Sequence, residues 1–180
     1  MSWPMKIRFL LLLLSLLATG CAKNSYTNVY VSTPTYTINF YKPALFHQVP
    51  QDTIAYNEAG FVRTIYRTDD STAELVVMYS FANTQKGRNF KDYYDYELID
   101  APNMRTYAVF TDTIIKMGNL SFGYFHYFLE EADFETDKLI TNIGDELVYL
   151  KLTNRRAKNS DTTFEKTKDS IFHSVRIQLK

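Results

Sequence analysis

Residues 120–129 read LSFGYFHYFL, and this stretch decides the fold. Leu120, Phe122, Tyr124, Phe125, Tyr127, Phe128 and Leu129 put bulky apolar or aromatic groups at both odd and even positions. A strand formed here could leave neither face to water. Such a strand belongs in the middle of a sheet that is covered on both sides. Gly118-Asn119 just before it is a turn pair, and residues 105–117 upstream are strand-like. The two runs therefore predict an antiparallel hairpin.

Reading outward, residues 138–153 carry further strand character with a break at Gly144-Asp145, and Leu147 to Leu152 form one strand of it. Residues 73–81, AELVVMYSF, are almost continuously apolar, as expected of a sheet centre. Residues 61–66 form a shorter strand, set off by turns at residues 57–60 and 68–71. Residues 35–41 alternate, with Tyr36, Ile38 and Phe40 on one face. Pro43 and Pro50 bracket an irregular segment, followed by a short apolar piece at residues 53–56.

Two helices interrupt the strands. In residues 88–100, RNFKDYYDYELID, Phe90, Tyr93, Tyr94 and Leu98 recur at helical spacing, and Pro102 stops the run. Near the end, Thr162 with Glu165 fits a capping box. Phe164, Ile171 and Phe172 then share a helical face. Val175, Ile177 and Leu179 alternate as a short closing strand. Helices covering an antiparallel sheet make an α+β fold: an antiparallel β-sheet with about two helices packed on it, the C-terminal helix leading into a short final strand. Another antiparallel sheet or barrel with a C-terminal helix is the alternative.

The first twenty residues stand apart. Lys6 and Arg8 precede an apolar run at residues 9–17, then Ala18, Thr19, Gly20 and Cys21. This is the order of a secretory signal. The apolar run is far short of the roughly 20 residues that a spanning helix needs. Cys21 is the only cysteine, so no disulfide partner exists. Residues 22–33, AKNSYTNVYVST, read as a tether. The expected division is residues 1–20 signal peptide, 21–33 tether and 34–180 a single domain. Removing Lys6 and Arg8 from 20 basic residues leaves 18 against 20 acidic ones, a net of −2. That balance gives no electrostatic reason to expect nucleic acid as a partner.

Leu17-Ala18-Thr19-Gly20-Cys21 resembles the lipobox of bacterial lipoproteins. The resemblance implies a diacylglyceryl thioether on Cys21, cleavage before it and acylation of the new amine, so that the membrane is a partner through the lipid anchor. Two or three acyl chains hold a protein firmly where one does not. Ala22 stands where an inner-membrane retention signal would have Asp, and no acid follows closely. The expected location is the outer membrane, on its periplasmic face.

The C-terminal half resembles the PsbP/Mog1-like fold, which includes small bacterial lipoproteins of the DcrB type. The matching residues are Asp169-Ser170-Ile171-Phe172-His173-Ser174-Val175-Arg176-Ile177, where a final helix runs into a short basic-hydrophobic ending. Residues 36–46 with Pro43 resemble that family's opening strand. The family implies mostly non-catalytic accessory roles, and no functional residues carry over.

Candidate sites are few. His47, His126 and His173 have no ligand spacing and read as core or surface histidines rather than a zinc site. Residues 130–137, EEADFETD, hold five carboxylates without the glycine a calcium loop wants, and read as a solvated loop. Tyr93, Tyr94 and Tyr96 could stack on a sugar or another flat ligand, with core packing the simpler use. Arg155, Arg156 and Lys158 could meet anionic head groups, with an exposed loop the plainer reading. No nucleophile elbow, H-E-x-x-H or phosphate-cradling glycine loop occurs, and no cofactor is implied.

One pattern exceeds chance. Asp followed by Ser or Thr and then Thr or Ile recurs with its acceptor at Thr53, Ser71, Thr113, Thr162 and Ser170, where composition predicts roughly one. It resembles the O-glycosylation signal of Bacteroidetes envelope proteins. Acceptors in turns, Ser71 above all, are favoured because the enzyme needs exposed chain. Together these features predict a membrane-anchored, non-enzymatic envelope lipoprotein acting as a binding or accessory module, with a protein partner in the envelope. A small hydrolase using unmarked carboxylates and a structural subunit are the alternatives.

Overall fold

The structure, a computed structural model, describes residues 25–50, 54–56, 61–80, 87–100, 107–129, 134–155 and 161–180. Its strands are β1 (Tyr26–Ser32), β2 (Tyr36–Pro43), β3 (His47–Gln48), β4 (Ile54–Tyr56), β5 (Phe61–Arg67), β6 (Ala73–Ser80), β7 (Tyr107–Met117), β8 (Leu120–Leu129), β9 (Phe134–Ile143), β10 (Glu146–Arg155) and β11 (Arg176–Leu179). Helix α1 (Phe90–Asp95) lies between β6 and β7, and α2 (Asp161–His173) between β10 and β11.

The hairpin expected around Gly118-Asn119 is β7 with β8. Gly118 sits at φ 62°, where the missing side chain removes the penalty of the left-handed turn. A large antiparallel sheet runs in the order β3-β5-β6-β10-β9-β8-β7, with β4 added on β5. The two-sided cover predicted for β8 is present, but its place is not the centre. It stands one strand in from the β7 edge, and β10 and β9 fill the middle. Apolar residues on both faces report cover, not position, and cover reaches β8 from both sides.

One face of the sheet carries Leu75, Val77, Leu139, Val148, Leu150 and Leu152. Against it pack a second, three-stranded sheet, β1-β2-β11, and α2, through Tyr36, Ile38, Phe40, Phe164, Ile171 and Phe172. Each fully buried side chain of this kind stabilises by about 1.5–3 kcal/mol. The opposite face carries Phe125, Tyr127, Ile140 and Leu147 beneath Tyr93, Tyr94 and Leu98 of the α1 region. The period of two along β10 sorts Val148, Leu150 and Leu152 to the first face and Leu147 and Tyr149 to the second. The same alternation separates Phe122 and Tyr124 from Phe125 and Tyr127 on β8. Gly123 falls on the second face. A methyl there would stand 2.8 Å from Tyr94 Cδ2, 2.9 Å from Phe125 Cε2 and 3.0 Å from Ile140 Cγ2. The glycine is what lets the Tyr94 ring settle on the sheet.

Two expectations need correction. The tether predicted to reach residue 33 is strand from Tyr26 onward, and β1 pairs with β2 from Tyr26↔Pro43 to Ser32↔Thr37. Val29 is buried while Tyr26, Asn28 and Tyr30 are exposed. With polar and aromatic residues on its outer side, such a strand has a linker's composition. The helix predicted over residues 88–100 is α-helical only to Asp95, and Tyr96–Asp100 form one wide π-helical turn. Asn89 caps α1 in a capping box with Asp92. The wide turn leaves both Tyr93 and Glu97 buried against the sheet, and such turns recur at functional sites.

Candidate binding cleft

Beneath α1, on the second face of the sheet, lies a cleft of about 250 Å³. Phe61 of β5, Met78 of β6, Leu147 and Tyr149 of β10 and Ile140 of β9 supply its apolar surface, with Tyr127 of β8. The helix side supplies Tyr93, Tyr96 and Glu97, and Arg88 precedes the helix. Lys138 and Lys151 rise from the sheet.

Its polar groups are organised around Glu97. The Tyr127 hydroxyl donates to Glu97 Oε2 at 2.6 Å, and Lys138 Nζ donates to Oε1. Lys138 Nζ also stands 4.7 Å from the Tyr149 ring centroid, a cation–π distance. The pair is largely shielded from solvent, with the Lys138 and Glu97 side chains 14% and 8% exposed. A buried pair is costly to break and weak as a stabiliser, so its presence favours a positioning role. Tyr93 is 4% exposed, and its hydroxyl has no hydrogen-bond partner among the described residues. Burial raises its pKa; Arg88 opposes that rise, while Asp145 and Asp92 add to it. The hydroxyl therefore stays a proton donor throughout the neutral range.

A second polar cluster lies on the first face, between β8, β9 and α2. Asp137 is fully buried. The Tyr124 hydroxyl donates to its Oδ1, His126 Nδ1 lies 3.1 Å from the same oxygen, and Lys168 Nζ of α2 approaches it to 3.9 Å. The hydrogen bond to Asp137 raises the His126 pKa, against the opposing effect of burial. Burial and the neighbouring carboxylate together push the Tyr124 hydroxyl well above its ordinary value. Burial pulls the Lys168 ammonium down, but Glu165, 2.5 Å away, and Asp137 outweigh it and its pKa ends raised. This constellation fastens α2 to the sheet.

The structure distributes the predicted site residues unevenly. His47 is on β3 at one end of the sheet, 3.6 Å from Asp69. His126 is on β8, and His173 ends α2 with Nδ1 3.0 Å from the Asp169 carbonyl oxygen. Among the described residues no three His, Cys, Asp or Glu gather as a metal-holding group. The acidic run divides: residues 130–133 lie outside the described residues, and Phe134–Asp137 open β9. Asp137 is thereby a buried strand residue rather than part of a solvated loop. Alternation along β9 puts Asp137 on the face toward α2 and Thr136 on the cleft face, a signal hidden by the charges around it.

Of the tyrosine trio, Tyr93 and Tyr96 line the cleft. Tyr94 packs on Phe125 at 5.0 Å between centroids and donates to Asp112. Burial, then that bond, pushes its pKa up to about 12. Arg155 lies over the Phe134 ring, and Arg156 and Lys158 are outside the described residues. Ser71 is exposed in a turn at φ 55°, and Thr113 is exposed on β7. Ser170 is half-buried and donates to the Lys166 carbonyl. Cys21, Thr53 and the Thr162 side chain lie outside what the structure describes. Glu97, Lys138 and Lys151 were missed by sequence reasoning, because a charged residue on a strand or helix reads as solvent-facing until something covers it.

The layered arrangement is a PsbP-like fold. The solution structure of cyanobacterial PsbP (CyanoP) from Synechocystis sp. PCC 6803 matches it with a TM-score of 0.59 and 12% identity, covering 88% of this chain and 96% of that one. A crystal structure from Bacteroides thetaiotaomicron VPI-5482 aligns with a TM-score of 0.44 and 13% identity over 79% of this chain and 45% of that one. No family model and no curated protein sequence matches the chain. The fold expectation is thus met, including the C-terminal helix that runs into a final strand.

Proposed function

We propose that this protein is a lipid-anchored envelope protein whose α+β domain serves as an accessory binding module, with the cleft beneath α1 as its binding site. The cleft itself carries the reading. It is concave, mostly apolar and furnished with a few convergent polar groups, the usual make-up of a ligand site. Glu97 is the one carboxylate lining it among the described residues, and it is tied to Lys138 and Tyr127. Hydrolysis by a carboxylate pair would want a second acid free to move a proton.

The anchoring half of the reading rests on the lipobox at Cys21. Ser25 follows four residues later, a reach of at most roughly 14 Å, so β1 would lie close to the bilayer. Tyr26, Tyr30 and Tyr41 are exposed on the outer side of the small sheet. Tyr41 stands opposite Asn28, between the two others. Tyrosines of this kind suit the membrane interface. No helix among the described residues is long and apolar enough to cross a membrane.

Two experiments test the halves separately. Single-ring fragments of all charge types, screened by saturation-transfer NMR, should yield binders that compete with one another and are lost in a folded Leu147→Trp variant, whose side chain fills the cleft. An empty screen, or binders that survive the filled cleft, would defeat the site. Cys21→Ser should move the protein from the membrane to the soluble fraction, and a variant that stayed membrane-bound would defeat the anchor.

A further inference from the structure

We infer that the cleft takes a small, singly charged anion with a compact flat apolar body, a ring carboxylate being the simplest form. This deepens the proposal that the cleft is the binding site and rests on it. The first observation is a pair of like charges. Lys138 of β9 and Lys151 of β10 are directly opposite each other in the sheet register, and both line the cleft. Like charges in that relation repel. Glu97 answers Lys138, but among the described residues no carboxylate pairs with Lys151 or with Arg88. The lining therefore holds three cations and one acid; Asp92 and Asp145 act near Tyr93, so the unanswered positive charge is at Lys151 beside Lys138, where an anion would meet it.

The second observation is the buried Tyr93 hydroxyl, which has no acceptor among the described residues. An unmet buried donor costs about 1–3 kcal/mol. A carboxylate oxygen seated beside it would accept that O–H while its charge faced the cations. The third is the apolar surface from Phe61, Met78, Ile140 and Leu147, which has no use for the polar part of a ligand and would receive its body. Size sets the limit. A volume of about 250 Å³ falls below the roughly 300–1,000 Å³ of drug-sized sites, which leaves room for one ring and one charged group. The lysines exclude a cationic ligand, and the free hydroxyl calls for an acceptor.

The test uses three probes of one shape, benzoate, benzamide and benzylammonium, titrated into the detergent-solubilised protein with 13C-methyl methionine. Met78 lines the cleft, while Met117 lies on the other face of the sheet and serves as the control. Benzoate should shift Met78 and spare Met117, with an affinity that falls as salt rises. Benzamide and benzylammonium should bind at least about fivefold more weakly. Lys151→Met and Arg88→Met should each weaken benzoate by about three- to fivefold, as for partly exposed charge pairs, and should weaken benzamide less than benzoate. Benzamide binding as tightly as benzoate, or a Lys151→Met variant with undiminished benzoate affinity, would overturn the anion assignment while leaving the cleft a binding site. No shift of Met78 by any of the three probes would overturn the assignment and the proposed site together.

Discussion

Replacing Asp137 by alanine is the most demanding test of how this fold is held together. The side chain is fully buried, and three groups from two elements converge on Oδ1: Tyr124 and His126 from β8 and Lys168 from α2. Truncation would strand two cations or potential cations and a phenol in a region only partly open to water. The Lys168 side chain is 15% exposed and that of His126 22%. Breaking a buried charge pair by removing one partner costs about 3–5 kcal/mol. For a domain of this size each kcal/mol lowers Tm by roughly 2–4 °C, so a loss of roughly 6–20 °C is expected. Trp3 is the only tryptophan and lies outside the described residues, so unfolding is followed by far-UV circular dichroism in urea. Asp137→Asn keeps the shape and an acceptor oxygen and should lose less than the alanine variant. Retention of stability within about 1 kcal/mol by Asp137→Ala would refute the view that α2 is fastened through this carboxylate.

Further outcomes are open to direct measurement. Because the hydrogen bond to Asp137 raises the folded-state pKa of His126 above its unfolded value near 6.5, the stability this pair contributes should be complete below that pH and lost as pH climbs through the raised value; urea titrations across the neutral range should show the decline, and Asp137→Asn should flatten it. Gly123→Ala drives a methyl to 2.8 Å from Tyr94 Cδ2 and should destabilise by about 1–2 kcal/mol, overpacking outweighing the entropic gain; a variant with an unshifted urea midpoint would contradict the close approach of α1. Asn89→Ala removes the cap of a six-residue helix and should cost about 1 kcal/mol, visible as faster amide exchange across α1. Peptide mass spectrometry of the native protein should find any sugar on Ser71 or Thr113 before Ser170, because exposure separates them, and a glycan on Ser170 alone would show that exposure does not select the acceptor.

Period and punctuation alone determined much of this protein. The two-faced run at residues 120–129, the turn pairs at Gly118-Asn119 and Gly144-Asp145, and the alternation ending at Leu179 marked the succession of strands along the chain and the fold class, because strand faces repeat every two residues and turns demand particular backbone angles. Local patterns do not record what covers a polar side chain. Whether β1 pairs or dangles, whether Asp137 meets water or Tyr124, and whether Lys138 and Lys151 stand side by side were set by contacts between residues far apart in the chain. The strand-to-strand register and the small helix seated over Gly123 decided them. A charged residue's chemistry depends on its solvent, and in this molecule its solvent is supplied by distant parts of the same chain.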